Sequence, residues 1–366
     1  MSKELQRTII NSISIIAFLY LFLVGINGMS SAIKHFGSGF ADAVLSATDN
    51  PFLALFIGTF VTVLFQSSST TTSLIVGMVS AGVLSIEGSI PMIMGANIGT
   101  TVTNTIVSMG HISRGNEFKR AFAASTVHDF FNMFSVLIMF PLELKFHIIQ
   151  NSAVGLGELL FGKISTNEVM KSPIKTAVKW GSKQIESLSF DNNIVYLILS
   201  VLLTLFMLYM IVKVLRKMVL SKVEVFFDKY IFKTAIRALL FGIMLTIMVQ
   251  SSSITTSLVV PLAGAGVLSL RQIFPYTLGA NIGTTATALL AALSLNVTAL
   301  VTAFAHLIFN IFGIAVIYPI PFFRNIPIKL AETLAAYSIK NRLIPFAYLV
   351  VVFLVIPFII IYFGGK

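Results

Sequence analysis

The sequence predicts an all-α polytopic membrane protein built from two inverted-topology repeats, each with a re-entrant helical hairpin and a broken transmembrane helix. Three observations carry that prediction. The 366-residue chain is 56% hydrophobic and only 11% charged, where a soluble domain carries about 25% charged residues. Several apolar runs reach the ~20 residues that a membrane-spanning helix needs. Residues 66–105 and 250–289 are near-copies at a constant offset of 184, without a gap, identical at 23 of 40 positions. A polar, Gly-interrupted segment repeated in both halves of a membrane chain points to a site where the halves meet.

Taking the elements in order, Lys3 and Arg7 precede an apolar run from Ile9 to Ile33. That run is longer than the about 7–15 residues of a signal-peptide core. It reads as a retained first span with a cytoplasmic N-terminus, residues 1–50 forming this span and a connector. Further full spans are expected at 90–110, 118–141, 194–212, 274–295, 299–320 and 343–363. Phe52 to Phe65 and Leu239 to Val249 are too short to span, at about a dozen residues each, a length typical of re-entrant segments. Each ends in Gln-Ser-Ser-Ser and continues apolar to a Gly near 82 or 266, so each half reads as a hairpin with that run at its tip. Three spans separate the two tips, and an odd number inverts the second copy relative to the first. The units are then repeat 1 at 51–141, an extracytoplasmic loop at 142–193, a span and cytoplasmic basic loop at 194–233, repeat 2 at 234–321, and an interfacial helix (327–342) with the last span at 322–366.

Charge supports this topology. The net charge is +11, and its Lys and Arg cluster between apolar runs as expected of cytoplasmic loops, so it is no sign of nucleic-acid binding. Lys213, Arg216, Lys217, Lys222, Lys229, Lys233 and Arg237 outweigh Glu224 and Asp228 in one such loop. The absence of cysteine excludes disulfides and thiol chemistry.

The tips carry the chemistry. Gln66, Ser67, Ser68, Ser69 and Thr70 continue through Thr71, Thr72 and Ser73, and Gln250, Ser251, Ser252 and Ser253 continue to Thr255, Thr256 and Ser257. The returning arm of a hairpin begins a half-helix whose free N–H groups and positive dipole end suit an anion. The hydroxyls offer donors to a tetrahedral oxyanion and lone pairs to a cation; they also serve simply to glue helices. Gly95-Ala96-Asn97-Ile98-Gly99-Thr100-Thr101 and Gly279-Ala280-Asn281-Ile282-Gly283-Thr284-Thr285 sit within spans. They read as breaks whose carbonyls coordinate Na⁺ together with Gln66, Asn97, Thr100, Thr101, Gln250, Asn281, Thr284 and Thr285, or as a small-residue packing face. His128 and Asn132 match His306 and Asn310 at an offset of 178, each pair on one helix face, in interhelical hydrogen bonding or substrate contact. Asp129 is an acid inside a span, replaced by Leu307 in the second copy. No Lys or Arg lies within either repeated core apart from Arg271, so a bound dianion has to bring its own cations.

At these residues the chain resembles the type II sodium/phosphate cotransporter family, whose signature is two inverted repeats that each carry Gln-Ser-Ser-Ser. The likeness continues through Phe118 to Ala123, Val127 to Asn132, His306 to Asn310, Tyr318 to Phe322 and Ile326 to Lys329. The resemblance implies sodium-coupled uptake of inorganic phosphate by alternating access. Phosphate would be held between the two tips, on Ser67, Ser68, Ser69, Thr70, Ser251, Ser252 and Ser253. Sodium would sit by Gln66, Gln250 and the Asn-Gly segments, with no other cofactor. It further implies a homodimer in the bacterial inner or plasma membrane. The outer segment is short and cysteine-free, so the loop disulfide of animal members cannot form, and regulation through long cytoplasmic tails or an appended sensing domain is not expected. Rival readings are the same architecture carrying another oxyanion or a small carboxylate, and a passive anion channel. An enzyme is the remotest, since the tips supply no base for a serine nucleophile.

Overall fold

The computed structural model describes residues 3–161, 173–223 and 231–364. Among them every regular element is helical. The first half comprises α1 (Lys3–Lys34), α2 (Ser38–Thr48), α3 (Pro51–Phe65), α4 (Ser68–Ala81), α5 (Ile86–Gly99), α6 (Val102–Met109), α7 (Asn116–Phe146), α8 (Ile148–Phe161) and α9 (Pro173–Ser187). The second comprises α10 (Asn193–Val223), α11 (Ala235–Val249), α12 (Ser252–Ser257), α13 (Val259–Gly264), α14 (Leu270–Ala292), α15 (Val297–Ile317), α16 (Pro321–Lys340), α17 (Ile344–Val350) and α18 (Ile356–Gly364). A π-helical turn at Val351–Val355 joins the last two.

Five helices among the described residues are long and apolar enough to cross a membrane: Gln6–Lys34, Asn116–Phe146, Asn193–Met218, Val297–Ile317 and Ile344–Gly364. Stripes such as Ile198, Leu202, Phe206 and Tyr209 leave them exposed, as hydrocarbon-facing surfaces must be. The expected span at 90–110 is divided between α5 and α6, of 14 and 8 residues, and the one at 274–295 coincides with most of α14. α3 and α11, at 15 residues each, rise only ~22 Å and are too short to cross ~30 Å of hydrocarbon.

The same turn ends both short helices. Gln66 and Gln250 adopt the left-handed conformation at φ 53° and 56°. Ser67 and Ser251 follow as extended N-caps whose hydroxyls accept from the N–H of Thr70 and Ile254. A non-glycine residue at positive φ is uncommon. Here each Gln side chain offsets the cost by donating from Nε2 to a carbonyl of the helix it ends, Val63 in one copy and Ile247 in the other, both at 2.6 Å. The returning arms stop at Gly82 and Gly266, again left-handed.

Glycines set the spacing of α3 on α5 and of α11 on α14. A Cβ on Gly95 would overlap the Leu55 carbonyl oxygen, and one on Gly279 the Leu239 carbonyl oxygen. Gly58 meets the Met92 carbonyl in the same way, and Gly242 that of Tyr276. Each of these contacts recurs at the offset of 184, so the repeat reaches upstream of residue 66 to Ala54, Leu55, Gly58 and Thr62, matching Ala238, Leu239, Gly242 and Thr246.

Several expectations are corrected. Only the first copy breaks its span, at Thr100–Thr101; α14 runs unbroken through Gly279, Asn281 and Gly283. The first copy carries Val102 and Asn104 where the second has Ala286 and Ala288, and alanine sustains a helix that a β-branched run weakens. Conversely α4 is continuous, whereas the second arm is interrupted at Leu258, because Pro261 stands where the first copy has Gly77 and lacks the N–H to bond Ser257. The segment 142–193 is no plain loop: α8 packs on α15 and α9 on α1. Its residues 162–172, and Glu224, Asp228 and Lys229 of the basic loop, lie outside the described residues. The helix expected at 327–342 starts at Pro321 and packs along α7 through Ile328, Ala331 and Ala335.

The helix–turn–helix units lie at opposite ends of α7. Thr48, Asp49 and Ser85 of the first line one cavity with Glu143 and His147, while Arg120 donates to the Gly264 carbonyl at the base of the second. Gly95→Ala and Gly279→Ala should each lower thermal stability in detergent by about 1–3 kcal/mol through overpacking. Gly39→Ala, with open space around it, should leave the melting temperature unchanged.

Candidate functional site

Each tip is tied to the span beside it by one repeated bond. Thr103 donates to Gln66 Oε1 and Thr287 to Gln250 Oε1, both at 2.9 Å. Thr103 and Thr287 are themselves repeat partners, identical in the aligned sequence. They were not among the expected site residues; their identity at the offset was the signal that could have singled them out.

The two copies touch through these residues. Thr287 Oγ1 also lies 3.4 Å from Ser69 Oγ. A hydroxyl has a single proton, so Thr287 donates to Gln250 and accepts from Ser69, linking the tip of one repeat to that of the other. On the opposite flank Asn104 donates to Thr256 Oγ1 at 2.7 Å and accepts from Ser257 at 2.9 Å. Ser253 donates to the Thr100 carbonyl at 3.3 Å; that carbonyl lies at the break between α5 and α6. Asn104 has Ala288 as its counterpart, so repeat symmetry could not have pointed to it.

The expected oxyanion residues divide by what their hydroxyls already do. Ser67 and Ser251 cap the arms, and Thr70 Oγ1 lies 3.0 Å from Ser67 Oγ. Ser69 and Ser253 reach across to the other repeat. Ser68 and Ser252, the first residues of the two arms, are buried, and their hydroxyls make no hydrogen bond among the described residues. They are the pair left free to take a ligand.

The expected sodium residues divide likewise. Thr100 and Thr284 donate to the carbonyls of Ala96 and Ala280, both at 2.9 Å, and Thr101 and Thr285 to those of Ile98 and Ile282. A hydroxyl whose proton turns back to its own helix presents only lone pairs outward, which suits a cation. The Gln oxygens each keep one lone pair beside the Thr that binds them. Among the described residues no cluster of His, Asp and Glu could hold a metal ion.

Asn281 is committed elsewhere. The Asn97 backbone carbonyl can only accept, so Asn132 presents its Nδ2 to it, at 2.7 Å. Asn132 Oδ1 must then accept from Asn281 Nδ2, also at 2.7 Å. Asn281 Oδ1 faces His128 Nε2, which is therefore the protonated nitrogen. This chain joins α7 to the Asn segments of both repeats, the interhelical reading of His128 and Asn132. Its counterpart is not made: Asn97 donates to its own helix at Ile93, Asn310 to His306 O, and both ring nitrogens of the buried His306 lack partners. Asp129 accepts from the Tyr348 hydroxyl at 3.0 Å and from Thr105 of α6 at 3.5 Å, and lies within hydrogen-bond reach of Thr101, so the buried carboxylate adjoins the break of the first copy.

The sequence profile described as Na+/Pi-cotransporter matches residues 21–165 and 203–318. The chain is similar to sodium-dependent phosphate transport protein 2B of Homo sapiens, 34% identical over 442 aligned positions that cover 94% of this chain and 64% of that protein. It is 35% identical to the 2B protein of Bos taurus over 94% of this chain and 64% of that protein. It is 34% identical to the 2A protein of Ovis aries over 93% and 66%. The chain thus spans under two thirds of these relatives' length. No solved structure matches it.

Thr287→Val should destabilise the fold by about 1–3 kcal/mol, because it strands the oxygen of a buried Gln250. Thr103→Val should cost less, since Gln66 is exposed and water can replace the lost bond. Paired thermal melts in detergent check the order.

Proposed function

The chain belongs to the Na+/Pi-cotransporter family, and from that premise we propose that it is a sodium-coupled symporter importing inorganic phosphate by alternating access. The observation that carries the proposal is the meeting of two repeated tips, each opening a helical arm on a buried serine whose hydroxyl bonds to no described residue, Ser68 and Ser252. Phosphate binds between them, taking donors from those hydroxyls and from the arms' first N–H groups. Sodium binds beside it, at the outward lone pairs of Thr100, Thr101, Thr284 and Thr285 and the free lone pairs of Gln66 and Gln250. No fixed positive side chain contacts these tips among the described residues, so each sodium offsets the cost of desolvating phosphate, and that dependence couples the fluxes.

The two helix–turn–helix units, with bases at opposite ends of α7, support the inverted arrangement, in which both tips are re-entrant and reach the membrane midplane. The basic ends of α10 and α11 lie on the cytoplasmic side with the N-terminus. The protein acts as a multi-pass homodimer in the inner or plasma membrane.

Proteoliposomes with an inward Na⁺ gradient should accumulate radiolabelled phosphate above equilibrium, and K⁺ in place of Na⁺ should abolish it. Equilibration regardless of sodium would mean a channel; competition by a small carboxylate and not by arsenate would mean a different substrate. Ser68→Ala and Ser252→Ala should each raise the phosphate KM by roughly ten-fold or more, the loss of one charge-assisted hydrogen bond of about 1.5–3 kcal/mol. Gln250→Ala should raise the sodium concentration at half-maximal uptake instead.

A further inference from the structure

Two repeats with identical residues at a contact should make that contact twice, unless the molecule is caught on one side of a motion. Thr287 meets Ser69 at 3.4 Å. The equivalent pair, Thr103 and Ser253, makes no such bond; both instead line a cavity of about 660 Å³. Its walls follow Thr103 and Val107 down α6, and Ser253, Ser257 and Leu262 down α12–α13, each about a turn from the last, as far as Arg216 near the end of α10.

The mirror-image groove is closed. Ser69 is buried, as its counterpart Ser253 is, but Ser73 is buried completely where its counterpart Ser257 is only half-buried. α1 packs over α4 there, and its Met29 methyl fills the space above Gly77 so fully that a Cβ on that glycine would overlap it. At the Gly77 position the second repeat carries an exposed Pro261 on the cavity wall, and the cavity reaches Ser253 and Ser257 of its tip.

Arg216 is the one positive side chain on that cavity wall. It is exposed, with no carboxylate partner among the described residues. We propose that this cavity is the water-filled pathway joining the substrate site to the basic face of the protein, and that Arg216 is a positioning residue that gathers an anion in it. The anion is phosphate on the reading given above, on which this inference rests. A guanidinium beside a low-dielectric groove raises the local concentration of an anion without binding it so firmly that it cannot leave. It sits outside the tips, where a fixed positive charge would compete with sodium for the same dianion.

The chain has no cysteine, so Leu262→Cys places a single thiol on the wall, away from the tip, and Met78→Cys places one at the mirror position. The full-length variants are reconstituted, shown by thermal melts to be folded, and treated with methanethiosulfonates bearing either a sulfonate or a trimethylammonium group. Leu262→Cys should react with both reagents, and Met78→Cys with neither. Adding Arg216→Gln should cut the ratio of anionic to cationic reaction rates at Leu262→Cys roughly ten-fold at low salt. Arg216→Lys should restore the ratio, and 1 M salt should erase the difference. Phosphate with sodium should slow the reaction.

A thiol at Leu262 that neither reagent reaches, a ratio indifferent to Arg216→Gln, or equal reactivity at Met78→Cys would overturn the proposal. If the charge effect holds but sulfate or a carboxylate slows the reaction and phosphate does not, the pathway and the role of Arg216 stand and the phosphate reading falls.

Discussion

The backbone-to-backbone approach at Gly58, Gly95 and Gly99, and again at Gly242, Gly279 and Gly283, governs everything else in the molecule. In hydrocarbon, apolar surface gains little by pairing with apolar surface, so helices associate where small residues let their backbones close. The contacts also set register. Leu55 faces Gly95, Thr62 faces Gly99 and Gln66 meets Thr103, so α3 and α5 run parallel with partners advancing together. Shift that seam by one turn and Gln66 loses Thr103, and the tip no longer faces the break. In the second copy Leu239, Thr246 and Gln250 meet Gly279, Gly283 and Thr287 by the same rule.

Upon that shared seam the copies differ where their side chains differ. The first breaks its span and keeps its arm continuous; the second keeps its span and interrupts its arm at Leu258, ahead of Pro261. The break frees the Thr100 carbonyl for Ser253, and Asn104, just beyond it, holds Thr256 and Ser257. One repeat therefore supplies irregular backbone and the other the hydroxyls that satisfy it. A backbone carbonyl freed by a break needs another partner, and here the other repeat supplies it. A site made this way belongs to neither half alone.

Much of this was legible in the residues. Composition and run lengths sufficed for a helical membrane protein, and the repeated Gln-Ser-Ser-Ser located both turns. The Gly-Ala-Asn-Ile-Gly segment was not decidable from its own letters, because a glycine that breaks a helix and a glycine that admits a neighbour are the same glycine. Which one operates depends on Leu55 and Leu239, about 40 residues upstream and unconnected to the segment by any local period. The helices within 142–193 escaped notice because α9 is polar on one face and draws its stability from packing against α1. Ser68 and Ser252 emerge from the hydroxyl cluster only by subtraction, once the bonds of their neighbours are known.

The amide chain from the Asn97 carbonyl through Asn132 and Asn281 to His128 has a further consequence, since its direction is dictated by a group that can only accept. Side-chain amides neither release nor take up protons near neutral pH, and these two are held in one orientation from end to end. His128 thus faces an electrical insulator where a row of water molecules would have been a wire. On the function proposed above, a sodium-driven carrier would pass no protons along this row.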